Sequence, residues 1–136
     1  MRAYHHKVQY YETDKMGITH HANYIHWMEE ARIDFLDQLG FPFDRLEAMG
    51  VGSPVLNVEC RYRAPSTFPD DIAVQVRVES FKSVRVRFNY EMRKADGTLV
   101  CQAKSEHCFV SPEGKLLRLP NACPELAERL AALVQG

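Results

Sequence analysis

No stretch of the 136-residue chain approaches the roughly 18 consecutive apolar residues of a membrane-spanning helix, so no membrane insertion is expected. The first residues, Met1-Arg2-Ala3-Tyr4-His5-His6-Lys7, contain no apolar core of the secretory kind, and a cytoplasmic address is the default expectation. Charge of one sign is also missing. Seventeen basic residues stand against eighteen acidic ones, a formal net charge of -1 that supplies no long-range field for nucleic acid, which is not expected as a partner. Cysteine is sparse and unpatterned: Cys60, Cys101, Cys108 and Cys123 form no CxxC pair and no Cys/His spacing, so they read as reduced core or surface residues. Internal repeats, low-complexity tracts and linkers are absent too. What is present is ordinary globular composition, 46% apolar and 26% charged, in a length that suits a single domain over residues 1–136.

Periodicity divides that domain into elements. Tyr4 to Tyr10 alternates weakly and predicts a strand, ended by the turn residues Glu12, Thr13, Asp14 and Gly17. Between Asn23 and Leu39, Tyr24, Met28, Ala31, Phe35 and Leu39 recur at helical spacing, flanked by Ile25, Trp27, Ile33 and Leu36, which predicts a helix with a broad apolar face. Thr19 and Asn23 both suit its N-cap, while Gly40 and Pro42 close it. Phe43 to Met49 has room for one or two helical turns. The period then becomes two: strands are expected over 56–63, 72–79, 84–93 and 99–110, with Asp96-Gly97 as a tight hairpin. A short strand over Leu116–Leu119 and a last helix from Pro124 to Val134 complete the chain. This order implies an α+β fold, an antiparallel sheet whose apolar face is covered by the long helix. The open sheet edges favour pairing with a second copy.

The most informative stretch is Tyr10-Tyr11-Glu12-Thr13-Asp14-Lys15-Met16-Gly17-Ile18-Thr19-His20-His21-Ala22-Asn23-Tyr24. It places a carboxylate in a glycine-bearing turn immediately before a helix, whose first turn has unpaired N–H donors and partial positive charge. One substrate carbonyl can then face both. The conservative reading takes Asp14 as a capping or Asx-turn residue and Gly17 as supplying only a positive φ angle.

The pattern Tyr10-x-x-x-Asp14-x-x-Gly17-Ile18-x-x-His21-x-x-Tyr24, followed by Glu29-x-x-Arg32, resembles the signature of hotdog-fold acyl-CoA thioesterases of the 4-hydroxybenzoyl-CoA thioesterase and YbgC-like family. The resemblance continues through Tyr62-Arg63-Ala64-Pro65, Phe68-Pro69-Asp70-Asp71 and Arg118-Leu119-Pro120. It implies a hotdog fold, a five- to six-stranded antiparallel sheet wrapped around a long central helix. It also implies a homodimer, or a homotetramer built as a dimer of dimers, and hydrolysis of a small-molecule acyl-CoA substrate without metal or organic cofactor, coenzyme A being part of the substrate. The roles it implies are Asp14 as general base or nucleophile, His21 as backbone oxyanion donor, and Tyr10 near the carboxylate. Gly17, Thr19, His20 and Tyr24 then surround the acyl group. Lys7 and Thr19 depart from the commonest family residues, and Thr19 with His20 adds polarity beside that group.

Coenzyme A carries phosphates, for which Arg63, Lys82, Arg85 and Arg118 are the basic candidates, Lys82 and Arg118 by resemblance to nucleotide-contacting regions. Glu29 and Arg32 lie one helical turn apart and read as a structural ion pair, although some hotdog enzymes draw a carboxylate from this helix. His5 and His6 read as solvated strand residues. His21 and His26 are five residues apart, about 500° around a helix, so they do not form a zinc pair, and no metal is expected. Two other functional classes use the same groove: a noncatalytic acyl- or CoA-binding module and a hydroxyacyl-thioester dehydratase. The proline- and glycine-rich loop resembling the dehydratases is missing.

Overall fold

Five antiparallel strands form one sheet in the order β1-β3-β4-β5-β2, with a 16-residue helix packed on its apolar face. The computed structural model describes residues 1–134. The elements are β1 (Tyr4–Lys7), a short 3-10 turn (Tyr10–Glu12), α1 (Asn23–Gln38), α2 (Phe43–Ala48), β2 (Val55–Tyr62), β3 (Asp71–Lys82), β4 (Arg85–Lys94), β5 (Leu99–Cys108), α3 (Leu119–Ala122) and α4 (Pro124–Leu133). This is the α+β arrangement expected from the period change along the chain.

Alternation sets the inner face. Ile72, Val74, Val76 and Val78 of β3 lie beside Val86, Phe88, Tyr90 and Met92 of β4, and all are buried. On β5 the inward row is Cys101, Ala103, Ser105 and His107, so the face becomes polar toward the C-terminal end of that strand. Helix α1 covers these rows with Tyr24, Trp27, Met28, Ala31, Phe35 and Leu36, each large side chain stabilising the core by roughly 1.5–3 kcal/mol. The helix ends as Gly40 predicts. Gly40 has φ +88°, its N–H donates to the Asp37 carbonyl at 2.9 Å, and the Phe41 N–H donates to Leu36 at 2.9 Å. These two bonds make a Schellman closure that turns buried Phe41 back into the core.

Three expectations need correction. The first strand stops at Lys7, because Glu12 reaches back to accept the Gln9 N–H at 2.7 Å and winds Tyr10–Glu12 into a turn. Neither Thr19 nor Asn23 caps α1: Ala22 occupies the cap position, and the Asn23 amide donates backward to the carbonyls of Glu12 and His20. No sixth strand forms over Leu116–Leu119. Leu116 makes only an isolated bridge with Val110, and the chain enters α3 at Leu119, with Pro120, which lacks an N–H, in its first turn.

Strand β2 is the open edge of the sheet, and it is exposed along nearly its whole length. Val55, Leu56, Val58 and Tyr62 of this edge and Ile25 of α1 are large apolar side chains open to solvent.

Candidate active site

The chain between β1 and α1 is folded into a miniature hairpin. Thr13 and Thr19 form its bridge, the Asp14 N–H donates to Ile18 at 2.9 Å, and the Gly17 N–H donates to the Asp14 carbonyl at 2.9 Å. Gly17 sits at φ +78° with open space where a Cβ would point, so the backbone angle, not crowding, demands glycine. The 64–67 loop clamps this hairpin from outside: the Thr67 hydroxyl donates to Gly17 at 2.6 Å, and the Thr19 N–H donates to Ser66 at 2.8 Å.

Two carboxylates frame the hairpin and are treated oppositely. Glu12 is buried and fully engaged, its oxygens lying 2.7 Å from the Gln9 N–H, 2.8 Å from His6 Nε2 and 2.9 Å from the Trp27 indole nitrogen. Burial by itself raises its pKa, but the bonds from Gln9, His6 and Trp27 outweigh that and hold the carboxyl below its ordinary value. Asp14 is only half-buried. Its Oδ1 accepts the Met16 N–H at 2.8 Å, an Asx turn, while Oδ2 has no partner among the described residues.

Asp14 opens onto a cavity of about 250 Å³ lined also by Ile18, Thr19, His21, Tyr24 and Tyr62. The amides of His20, Ala22 and Asn23 all donate within the chain, whereas among the described residues the His21 N–H meets no acceptor. The first turn of α1 carries no acidic residue, so its positive end is not neutralised locally. Tyr62 braces this point by donating to the His21 carbonyl at 2.9 Å. Burial, together with nearby Cys60, raises the Tyr62 hydroxyl well above its ordinary pKa and keeps it a donor. Buried Ser66 holds the other wall, its Oγ lying 2.7 Å from the Thr19 hydroxyl and 2.8 Å from that of Tyr24.

Asp14, Thr19, His21 and Tyr24 therefore meet around one cavity. Gly17 shapes the loop without lining it, and the His20 ring lies 4.3 Å from that of His21. Tyr10 is exposed, packs edge-on against Phe68, and makes no hydrogen bond to Asp14 among the described residues. Arg63 donates to Gln102 and does not line the cavity. Lys82 and Arg118 cluster beside Ser83, where Lys82 pairs with Arg85 and Arg85 with Cys108. Tyr62 pairs instead with Cys101, at the other end of β5, so within one chain these cations are roughly 20 Å from the Asp14 cavity.

Other residues differ from their sequence reading. His6 is half-buried between Glu12 and Glu30 and packs on Trp27, with ring centroids 4.7 Å apart, instead of facing solvent. Glu29 and Arg32 form no ion pair among the described residues. The site residues missed in the sequence are Ser66, Glu12 and the bracing hydroxyl of Tyr62. Glu12 left a local trace in the turn residues around it, but Ser66 contacts Thr19 across 47 positions and left none.

A model of the thioesterase-like superfamily matches residues 8–130. A protein of Aquifex aeolicus (strain VF5), provisionally described as an esterase, is 37% identical over 90% of this chain and 94% of its own length. The acyl-CoA thioester hydrolase YbgC of Escherichia coli O6:H1 is 29% identical over 88% of this chain and 87% of that protein. Among solved structures, the DHNA-CoA thioesterase of Staphylococcus aureus superposes with a TM-score of 0.90 at 30% identity, covering 93% of this chain and 86% of that one.

Proposed function

The chain belongs to the thioesterase-like superfamily, and from that premise we propose that it hydrolyses an acyl-CoA thioester to a carboxylic acid and free coenzyme A. The observation that carries this reading is the pairing, around one cavity, of a carboxylate oxygen and a backbone N–H that have no partner among the described residues. A thioester carbonyl needs both. In the water route, Asp14 Oδ2 takes a proton as the water oxygen bonds to the carbonyl carbon, and the developing oxyanion is held by the His21 N–H. Collapse breaks the C–S bond, and the departing thiolate takes the proton from Asp14. In the covalent route, Asp14 Oδ2 attacks the carbonyl carbon, collapse breaks the C–S bond and releases the coenzyme A thiolate, and water then attacks the Asp14 carboxyl carbon to open the mixed anhydride, its proton going to the thiolate. Single turnover in ¹⁸O-water separates these, since only the covalent route labels the Asp14 carboxylate.

The exposed apolar edge at Val55, Leu56 and Val58 supports a homodimer joined through β2, whose second copy brings its own Lys82 and Arg118. The test is free-thiol release from short, medium, long and aromatic acyl-CoAs. Asp14→Asn is expected to lower kcat by about 10²–10⁴-fold with an unchanged melting temperature. Equal rates for variant and wild type would reject Asp14. Tight binding without turnover across the panel would instead identify a noncatalytic acyl-CoA-binding module.

A further inference from the structure

Asn23, the first residue of α1, directs its side-chain amide at two backbone oxygens of the segment before the helix. Nδ2 donates to the Glu12 carbonyl at 3.0 Å and to the His20 carbonyl at 3.2 Å, and the Asn23 backbone N–H donates to the same His20 oxygen at 3.0 Å. Carbonyl oxygens only accept, so these neighbours fix which end of the amide faces them. A helix cap must accept from the first amides, whereas Asn23 donates, so capping does not explain the choice of residue.

The His20 carbonyl belongs to the peptide unit whose other half is the His21 N–H. That unit is planar and trans, so its C=O and N–H point in opposite directions, and a grip on the oxygen aims the hydrogen. Two donors on the oxygen also polarise the amide and make its N–H a stronger donor. The anchor is firm. The Glu12 carbonyl, which shares the Asn23 amide, also accepts the His20 N–H at 2.8 Å, and the Glu12 carboxylate is bonded to Gln9, His6 and Trp27 in the core. His20 is thus held at both its N–H and its carbonyl, while the His21 N–H meets no acceptor among the described residues.

We propose that Asn23 is a positioning residue for the reaction, directing the His21 N–H at the developing oxyanion by holding the other end of its peptide unit. This role rests on the hydrolase reading of the Asp14 cavity. It differs from that of Tyr62, which donates to the His21 carbonyl, one peptide unit farther on. The amide supplies two N–H donors on a short stem, one for each oxygen. Serine in its place offers one donor, and aspartate at neutral pH offers none.

The experiment compares Asn23→Ala, Asn23→Ser and Asn23→Asp with the wild-type chain by steady-state thiol release from the acyl-CoA panel and by thermal unfolding. Asn23→Ala is expected to lower kcat by about 10–100-fold with KM little changed, because a misaimed donor weakens the transition state more than the bound substrate. Asn23→Ser, which keeps one donor, is expected to recover part of that loss. In Asn23→Asp the new charge lies in the first turn of α1, where a carboxylate favours the helix, so the melting temperature is expected to hold while kcat falls at least as far as in Asn23→Ala. A wild-type kcat in Asn23→Asp, or a fall in rate that only tracks the loss of folded protein in all three variants, would overturn the role of Asn23 and leave hydrolysis at Asp14 standing. Absence of thiol release from the wild-type chain across the panel would reject the hydrolase reading itself, and this role with it. Should Asn23→Asp fail to fold, the split between kcat and KM in Asn23→Ala and the partial rescue by Asn23→Ser decide the matter.

Discussion

Two cavities border α1, the Asp14 cavity and a second of about 230 Å³ beside Met28 and Arg32, and they differ in how their polar groups are satisfied. At the N-terminal end the frame is fully bonded: Glu12, Ser66, Thr19 and Tyr24 each have partners, while Asp14 Oδ2 and the His21 N–H, the pair proposed to act on the thioester, have none among the described residues. Farther along the helix the frame itself is incomplete, with Arg32 Nη1 and His107 Nδ1 enclosed and without a hydrogen-bond partner among the described residues. The first arrangement fixes its supports with hydrogen bonds and leaves the proposed reactive groups free. The second keeps a desolvated charge in a largely apolar wall.

Removing the support of the first region has the largest expected effect on stability. Glu12→Gln leaves the bonds to Gln9, Trp27 and His6 half-made inside the core, and a loss of about 3 kcal/mol is expected in urea or thermal unfolding. A loss below 1 kcal/mol would show that the N-terminal frame is no better bonded than the second cavity.

Acid stability separates the two regions by pH. His107 is held at about 3 when folded, against 6.5 for the ordinary group, so the unfolded chain binds the extra proton between those values. Stability is therefore complete above about pH 6.5 and falls as pH drops toward 3, with a limiting slope of about 1.4 kcal/mol per pH unit. Glu12, whose folded pKa is lowered from 4.5, adds a loss only as pH falls below that value. His107→Gln should flatten the stability curve between about pH 6.5 and 3, leaving only the Glu12 loss below 4.5. An unchanged slope there would show that His107 protonates freely.

The smallest effect sharpens the account of the reactive pair. Tyr62→Phe removes one hydrogen bond to the His21 carbonyl, with an expected cost of about 1 kcal/mol in stability. Because that bond orients the peptide before α1, kcat is expected to fall about ten-fold while KM changes little, as steady-state kinetics would reveal. A change in KM alone would make Tyr62 a binding contact instead of a positioning residue.

Much of the fold was legible because its signals are local. The two-residue period over β3, β4 and β5, the helical period of α1, and Gly40 each act within a few positions of the chain. Errors fell where a distant or competing contact intervened. Glu12 ended β1 early through its bond to Gln9, and Pro120 converted the end of the expected last strand into a helix. Glu29 and Arg32 have the spacing of an ion pair, but Arg32 turns inward beneath Tyr90 and Ser105 while Glu29 stays at the rim. The basic residues were chosen by type alone, and strand register then set Lys82 and Arg118 at the end of the sheet away from Asp14.

The amino-acid sequence by itself determined the succession of strands and helices and placed Asp14 in a glycine-dependent turn just ahead of a helix, because periodicity, φ preference and turn chemistry operate over a few neighbouring residues. Only the tertiary structure decided which polar groups end up paired. Ser66 meets Thr19 and Tyr24 from more than forty positions away, and Arg32 is enclosed by strands that begin well beyond it in the chain. Burial and hydrogen-bond satisfaction depend on the three-dimensional neighbourhood, and that neighbourhood distinguishes half-open Asp14, the proposed reactive carboxylate, from the fully bonded Glu12 two residues before it.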